Sequence, residues 1–150
     1  MKLDVADHLA ILQLYARYNF AADEGDGDAF VECFTPDGFF EATLGRNEGH
    51  EQLRAQGAGF KPMLAEREGT MVRHWSGNIL LESLGPDRVR GRQYYLLIRL
   101  RRGGRPPAIL TSATYEDEIV RHEGEWRFAG RTVTPDAGES LETALATDGV

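Results

Sequence analysis

A single cysteine, Cys33, stands in 150 residues, which excludes an intramolecular disulfide and any cysteine-based zinc cluster. It lies in the apolar run Phe30–Phe34, the setting of a buried structural thiol and not of a nucleophile. Long hydrophobic runs are missing as well. None approaches the roughly 18 residues that a bilayer-spanning helix needs, and Met1–Lys2–Leu3–Asp4 leads straight into a charged helical pattern without a signal-peptide apolar core. A soluble, cytoplasmic protein with no membrane partner is expected. Positive charge is scarce: 17 Lys and Arg face 24 Asp and Glu, for a formal net charge of -7. Such a field repels phosphate backbones, so nucleic acid is not an expected partner. One stretch is locally basic, through Arg88, Arg90, Arg92, Arg99, Arg101, Arg102 and Arg105, but these alternate with apolar residues as the solvated side of a strand does. Gly-rich phosphate loops, a Gly-x-Ser-x-Gly elbow and paired metal motifs are absent. His8, His50 and His122 have no helical or strand spacing to His74 that would form a metal site. No cofactor and no metal are expected.

What is present is ordinary globular material, 41% hydrophobic and 27% charged, in a length that suits one domain with one core. Asp4 reads as an N-cap, and His8, Leu12, Tyr15, Tyr18/Asn19 and Ala22 recur at helical spacing, which predicts a first helix from about Asp4 to Asp23. The run Asp23–Asp28 breaks it, with Asp28 capping a short second helix that carries Phe30 and Phe34 inward. Thr35–Pro36–Asp37–Gly38 reads as a turn, Phe39–Leu44 as a short strand and Gly45–Gly49 as a polar loop. From His50 to about Glu66 the composition is helical but interrupted by Gly57, Gly59 and Pro62, which predicts a broken third helix. Four long strand-like segments follow at Met71–Leu84, Val89–Arg102, Ala108–His122 and Trp126–Thr134, with tight connections between them. Helices first and a meander afterwards predict an α+β fold: a curved, mostly antiparallel sheet of five to six strands wrapped on three helices. Residues 1–136 form that domain and 137–150 a polar, loosely held extension.

The residues able to carry chemistry cluster around the end of the first helix. A carboxylate at a helix C-terminus opposes the macrodipole and needs a compensating partner. For Asp23 the best candidate is His74, in a strand that the first helix must cover. On alternation His74 shares a face with Ser76 and Asn78, a polar stripe on an otherwise apolar sheet that points to a pocket. Taken singly, each residue also has a plain structural reading: Asp23 as a turn residue, His74 as a hydrogen-bonded core histidine, and Arg131 as an ordinary strand arginine. An Asp–His pair in a dry pocket would supply a base near neutral pKa, with Tyr18 or Arg131 stabilising the negative oxygen that develops.

Five segments carry a family resemblance: Leu14–Tyr18 with Ala22-Asp23, Phe34–Gly38, His74–Asn78, Thr114-Tyr115-Glu116-Asp117, and Gly124–Arg131. Together, over about Asp4–Asp136, they resemble the SnoaL-like family of the nuclear transport factor 2-like superfamily, with its cystatin-like α+β cone. That superfamily includes polyketide cyclases, scytalone dehydratase, bile-acid dehydratase and hexachlorocyclohexane dehydrochlorinase. The resemblance implies a catalytic Asp23–His74 dyad with Tyr18 and Arg131 as helpers, a small hydrophobic molecule as ligand, no cofactor, and a homodimer formed through the outer sheet face carrying Arg90, Arg92, Tyr94, Leu96 and Ile98. Arg99 stands where scytalone dehydratase has a second histidine, and Tyr18 where the dehydrochlorinase has a lysine, so neither substrate carries over. The implied activity is that of a cofactor-independent lyase or isomerase acting on a small hydrophobic cyclic alcohol or ketone. The alternatives are a non-catalytic ligand-binding or structural subunit, like the β subunit of ring-hydroxylating dioxygenases, and an aldol-type polyketide cyclase.

Overall fold

Asp4 begins the first helix as its sequence position requires: its side chain accepts from the Asp7 backbone N–H at 2.8 Å, which satisfies one of the donors that a helix start leaves open. Helix α1 spans Val5–Glu24 in a computed structural model that describes residues 3–65, 70–101 and 106–136. The helix ends at Gly25, whose left-handed φ of 66° closes the last turn through its N–H to the carbonyls of Ala21 and Ala22, a conformation that glycine adopts without steric cost. The buried side of α1 is Ile11, Leu14, Tyr15, Tyr18, Ala21 and Ala22, and His8, expected on that face, is exposed.

Five expectations about the next forty residues are corrected. The cap of α2 (Gly27–Val31) is Asp26, which accepts from the Ala29 N–H at 2.9 Å, while Asp28 sits in the first turn and pairs with Arg54 at 2.7 Å. Phe34 belongs to a strand. Thr35–Gly38 is no turn between elements: β1 runs unbroken over Phe34–Ala42, and its irregularity is a register shift between Phe34, opposite Phe128, and Phe39, opposite Gly130. Gly45–Glu48 is a strand, β2, hairpinned onto β1. The third helix, α3, is continuous over Gly49–Ala65. Gly57 does not interrupt it because the position packs against Phe30, where a Cβ would lie 2.6 Å from the ring; tight helix–helix packing outweighs the modest propensity cost of glycine.

Strands β3 (Thr70–Gly85), β4 (Arg88–Arg101), β5 (Ala108–His122) and β6 (Glu125–Pro135) form the predicted meander. The sheet order is β2-β1-β6-β5-β4-β3, antiparallel at every seam except β1 against β6. The described residues thus make an α+β fold of six strands and three helices, with α1 laid across β3 and β6. The extension assigned to 137–150 lies outside the described residues.

Alternation sorts the side chains of β4. Val89, Gly91, Gln93, Tyr95, Leu97 and Arg99 are buried, while Arg88, Arg90, Arg92 and Tyr94 face solvent. Arg99 therefore departs from the solvated-face reading: its odd position puts it on the inward parity, at 5% exposure. On β3, Trp75 and Leu80 point outward at 65% and 67% exposure. The polar stripe is shorter than expected, because β3 shifts register between Gly77 and Leu80 and Asn78, at φ 52°, is exposed. Cys33 is buried, its thiol 3.5 Å from the Ala29 carbonyl and pushed up to about 11 by burial, the behaviour of an inert structural thiol.

At the other end of α1 the Trp126 indole N–H and the Arg121 guanidinium both donate to Asp7, at 2.9 and 2.6 Å, and hold its carboxyl below the ordinary 3.8. A depressed carboxylate stabilises the fold fully above the ordinary carboxylate range and loses that contribution as pH falls through its own lowered value. Asp7→Asn is therefore expected to lower Tm near neutral pH and to lose that effect as pH falls through the lowered value of wild-type Asp7. Thermal melts across that range check it; an unchanged difference in Tm at both ends would mean that the charge of Asp7 contributes nothing.

Candidate active site

Asp23 sits in the last turn of α1, where the packing of α1 on β3 brings it against His74. Its carboxylate Oδ1 is 2.7 Å from the His74 Nδ1 and 3.1 Å from the His74 backbone nitrogen, and both side chains are nearly sealed from water, at 6% and 4% exposure. Two N–H donors of one residue thus hold the carboxylate and offset the unfavourable helix end. Arg73, on the outer side of β3, adds a more distant cation at 3.9 Å. With Nδ1–H turned to the carboxylate, the imidazole keeps Nε2 as its basic nitrogen. One turn up the helix, Asn19 donates to the Ser76 hydroxyl at 3.0 Å, so α1 is pinned to β3 at two inward positions.

Tyr18 and Arg131 lie at the far end of an aromatic relay that begins at His74. The imidazole stacks on Tyr95 at 5.3 Å and 25°. Tyr95 meets Tyr115 edge-on at 5.3 Å, and the Tyr18 and Tyr115 hydroxyls share a hydrogen bond. The Arg131 guanidinium then lies 4.1 Å from the centre of the Tyr18 ring and 4.2 Å from that of Tyr115. All four residues singled out in the sequence fall in this one contiguous cluster. Burial pushes the Tyr18 phenol well above its ordinary 10.0, reinforced by Tyr115 and opposed by Arg131; near neutral pH it is a hydrogen-bond donor and not an anion.

Arg131 is no ordinary strand arginine, since it has no exposed surface. Its Nε donates to Asp117 Oδ1 at 2.8 Å and its Nη2 to Oδ2 at 3.3 Å, while the Tyr15 hydroxyl donates to the same carboxylate at 2.8 Å. Burial pushes the Asp117 carboxyl up, and the guanidinium and the Tyr15 hydroxyl pull it back. The carboxylate in turn holds Arg131 fully protonated. Nη1 has no hydrogen-bond partner among the described residues.

Asp117, Tyr15, Tyr95 and Tyr115 were not singled out for the site in the sequence. The available signal was parity: on β5 Asp117 shares its face with Ala113, Tyr115 and Ile119, and a carboxylate on the apolar parity of a strand is a buried carboxylate that needs a cation. Gly91 completes the arrangement. A Cβ there would collide with the Tyr15 hydroxyl and lie 3.3 Å from the Asp117 Cβ, so the missing side chain is what lets Tyr15 reach the carboxylate. Among the described residues no group of three His, Cys, Asp or Glu side chains could hold a metal ion.

A six-stranded, mostly antiparallel sheet covered by three helices is the architecture of the cystatin-like fold. The chain belongs to the SnoaL-like domain family, which matches residues 4–132. Among solved structures it is similar to a cystatin-like-fold protein of unknown function from Nostoc punctiforme, at 28% identity and TM-score 0.74 over 94% of this chain and 99% of that one. A Mycobacterium tuberculosis protein of unknown function matches at 28% and 0.74, over 89% and 78% of the two chains. ActVI-ORFA from Streptomyces coelicolor shares the fold at 22% identity and TM-score 0.80, over 89% and 97%. No curated protein matches the sequence.

Removing Asp117 should strand a fully buried guanidinium. Asp117→Leu is expected to cost about 3–5 kcal/mol of stability, the usual penalty for leaving one member of a buried ion pair uncompensated. Chemical denaturation measures it, and a loss below about 1 kcal/mol, the worth of an exposed pair, would show that the pair is not structurally required.

Proposed function

We propose that this protein is a cofactor-independent lyase or isomerase of the dehydratase type, with His74 as the base and Asp23 as its orienting carboxylate. The observation that supports this best is the 2.7 Å contact between Asp23 Oδ1 and His74 Nδ1 inside the fold. A general base needs its tautomer fixed in this way. The substrate class is a small hydrophobic ring carrying a ketone and a β-hydroxyl, in keeping with the aromatic side chains Tyr18, Tyr95, Tyr115 and Phe128 around His74 and Arg131.

In the proposed reaction Nε2 of His74 takes the proton α to the carbonyl, and the C–H electron pair moves into an enolate. Asp23 stabilises the resulting imidazolium without itself taking the proton. The enolate oxygen receives hydrogen bonds from the Tyr18 hydroxyl and from Arg131 Nη1. Aromatic walls and low local polarity make such donors worth more than they would be in water. Collapse of the enolate forms the C=C bond and breaks the β C–O bond. The imidazolium returns its proton to the departing oxygen, so water leaves and both side chains end as they began. Asp117 and Tyr15 touch no reacting atom in this scheme; they position Arg131.

The aldol-type cyclase reading uses the same base and donors, and differs in that the enolate carbon attacks an internal carbonyl with no loss of water at that step. A binding module would keep the interior and turn over nothing. Assay against cyclic β-hydroxy ketones, following conjugated enone by its absorbance, separates these readings. His74→Gln should fold as wild type by circular dichroism and lose about 10²–10⁴-fold in kcat/KM, the usual worth of a general base. Asp23→Asn should lose activity similarly, and the double variant little more than either single one, because the two act as a unit. A folded His74→Gln variant with wild-type kcat/KM would remove His74 as the base.

A further inference from the structure

Gln93 has no part in the dyad, the Arg131 network or the core, yet it lies at 1% exposure in the middle of β4. Its parity puts it between Gly91 and Tyr95 on the inward face, and in register with Tyr115 of β5. Those neighbours tie it to the site at both ends: Tyr95 carries the His74 ring, and Tyr115 carries the Arg131 guanidinium. Both polar atoms of its side chain, Oε1 and Nε2, are sealed from solvent and have no hydrogen-bond partner among the described residues.

A buried amide with neither atom paired carries its full desolvation cost uncompensated, and such groups in folded proteins are nearly always satisfied by something. Leucine fills a similar volume without that cost, so a glutamine at this position needs a reason beyond packing. An amide offers one donor group and one acceptor, which matches a hydroxyl, itself both donor and acceptor. We propose that Gln93 is a specificity-determining residue that reads a second oxygen of the ligand, a ring hydroxyl that lies against β4 between the His74 and Arg131 ends of the site. The ligand is then a cyclic ketone that also carries a hydroxyl, and a ring without that hydroxyl leaves the amide unpaired. Sites built to pair a substrate hydroxyl discriminate strongly against analogues that lack it, because the unpaired group is then buried on the protein side.

This rests on the reading that the interior receives a cyclic ketone, and not on His74 being the base. Isothermal titration of the full chain with 1-tetralone and with 6-hydroxy-1-tetralone tests it, the two probes differing only in one ring hydroxyl. Wild type is expected to bind the hydroxylated probe about tenfold more tightly, which is about 1.4 kcal/mol. Gln93→Leu should bind 1-tetralone as wild type does, lose the tenfold preference, and melt at or above the wild-type temperature because the orphaned amide is gone. Gln93→Met, a second apolar replacement of similar length, should behave alike. His74→Gln should keep the preference, so a failure of the proposed base leaves this result standing. A wild type with no preference between the probes, or a folded Gln93→Leu variant that keeps the preference, would overturn the proposal. So would a Gln93→Leu variant that weakens both probes equally and melts lower, since the amide would then be structural.

Discussion

A guanidinium held wholly away from water is the costliest group in this fold, and much of the interior is arranged around keeping it there. Desolvating a cation of that size costs several kcal/mol even after relaxation, and it is tolerated only with a carboxylate in good geometry and the remaining polar atoms satisfied. Asp117 supplies the carboxylate from the neighbouring strand, Tyr15 reaches it from the helix, and Gly91 on β4 gives up a side chain to make room. Tyr15, Tyr18, Tyr115 and Phe128 surround the guanidinium with ring faces, their centres 4.1–5.3 Å away, where cation–π attraction replaces part of the lost hydration. Four elements thereby share one ion pair: α1, β4, β5 and β6 cannot slide past one another without breaking it.

The second carboxylate of the interior solves a different problem. Asp23 is placed where the helix dipole repels it, and the backbone and side chain of one residue, His74, supply the compensating donors. Each acid therefore has its own partner, Asp117 the permanent cation and Asp23 the titratable ring, and the aromatic relay Tyr18–Tyr115–Tyr95 lies between them. A permanent charge sits at one end and a hydrogen-bonded imidazole at the other, the two groups that the proposed reaction would use. The fold does not dictate that use. Similar cones occur in proteins of unknown function, and what a member does is decided by which side chains occupy the inward positions of β3 to β6.

Much of the architecture was legible in the chain because it is written in local periodicity. The first helix, the four long strands and their order follow from spacing and turn residues, and the α+β layout follows from that order. The errors have local causes too. Gly57 reads as a helix breaker until Phe30 is placed against it; Pro36, Asp37 and Gly38 read as a turn until β6 is laid beside β1. In both cases a tertiary neighbour outweighs an intrinsic preference worth about 1 kcal/mol.

For the site, the sequence by itself determined the parity of each residue on its strand and the electrostatic need of each charge. It marked Asp23 as a carboxylate in want of a donor and His74 as a polar group on a covered face; Arg99 was read onto the solvated side, although its parity, like that of Gln93 and Asp117, is the buried one. Which inward residue meets which was decided by the tertiary structure. Asp117 faces Arg131 because β5 and β6 pair in that register, Gln93 lies beside Tyr115 because β4 and β5 do, and His74 reaches Asp23 because α1 crosses β3 at its final turn. A strand's own sequence records the direction of its side chains, since alternation is a property of one backbone. Register and crossing point belong to two backbones at once, and only the packed chain holds both.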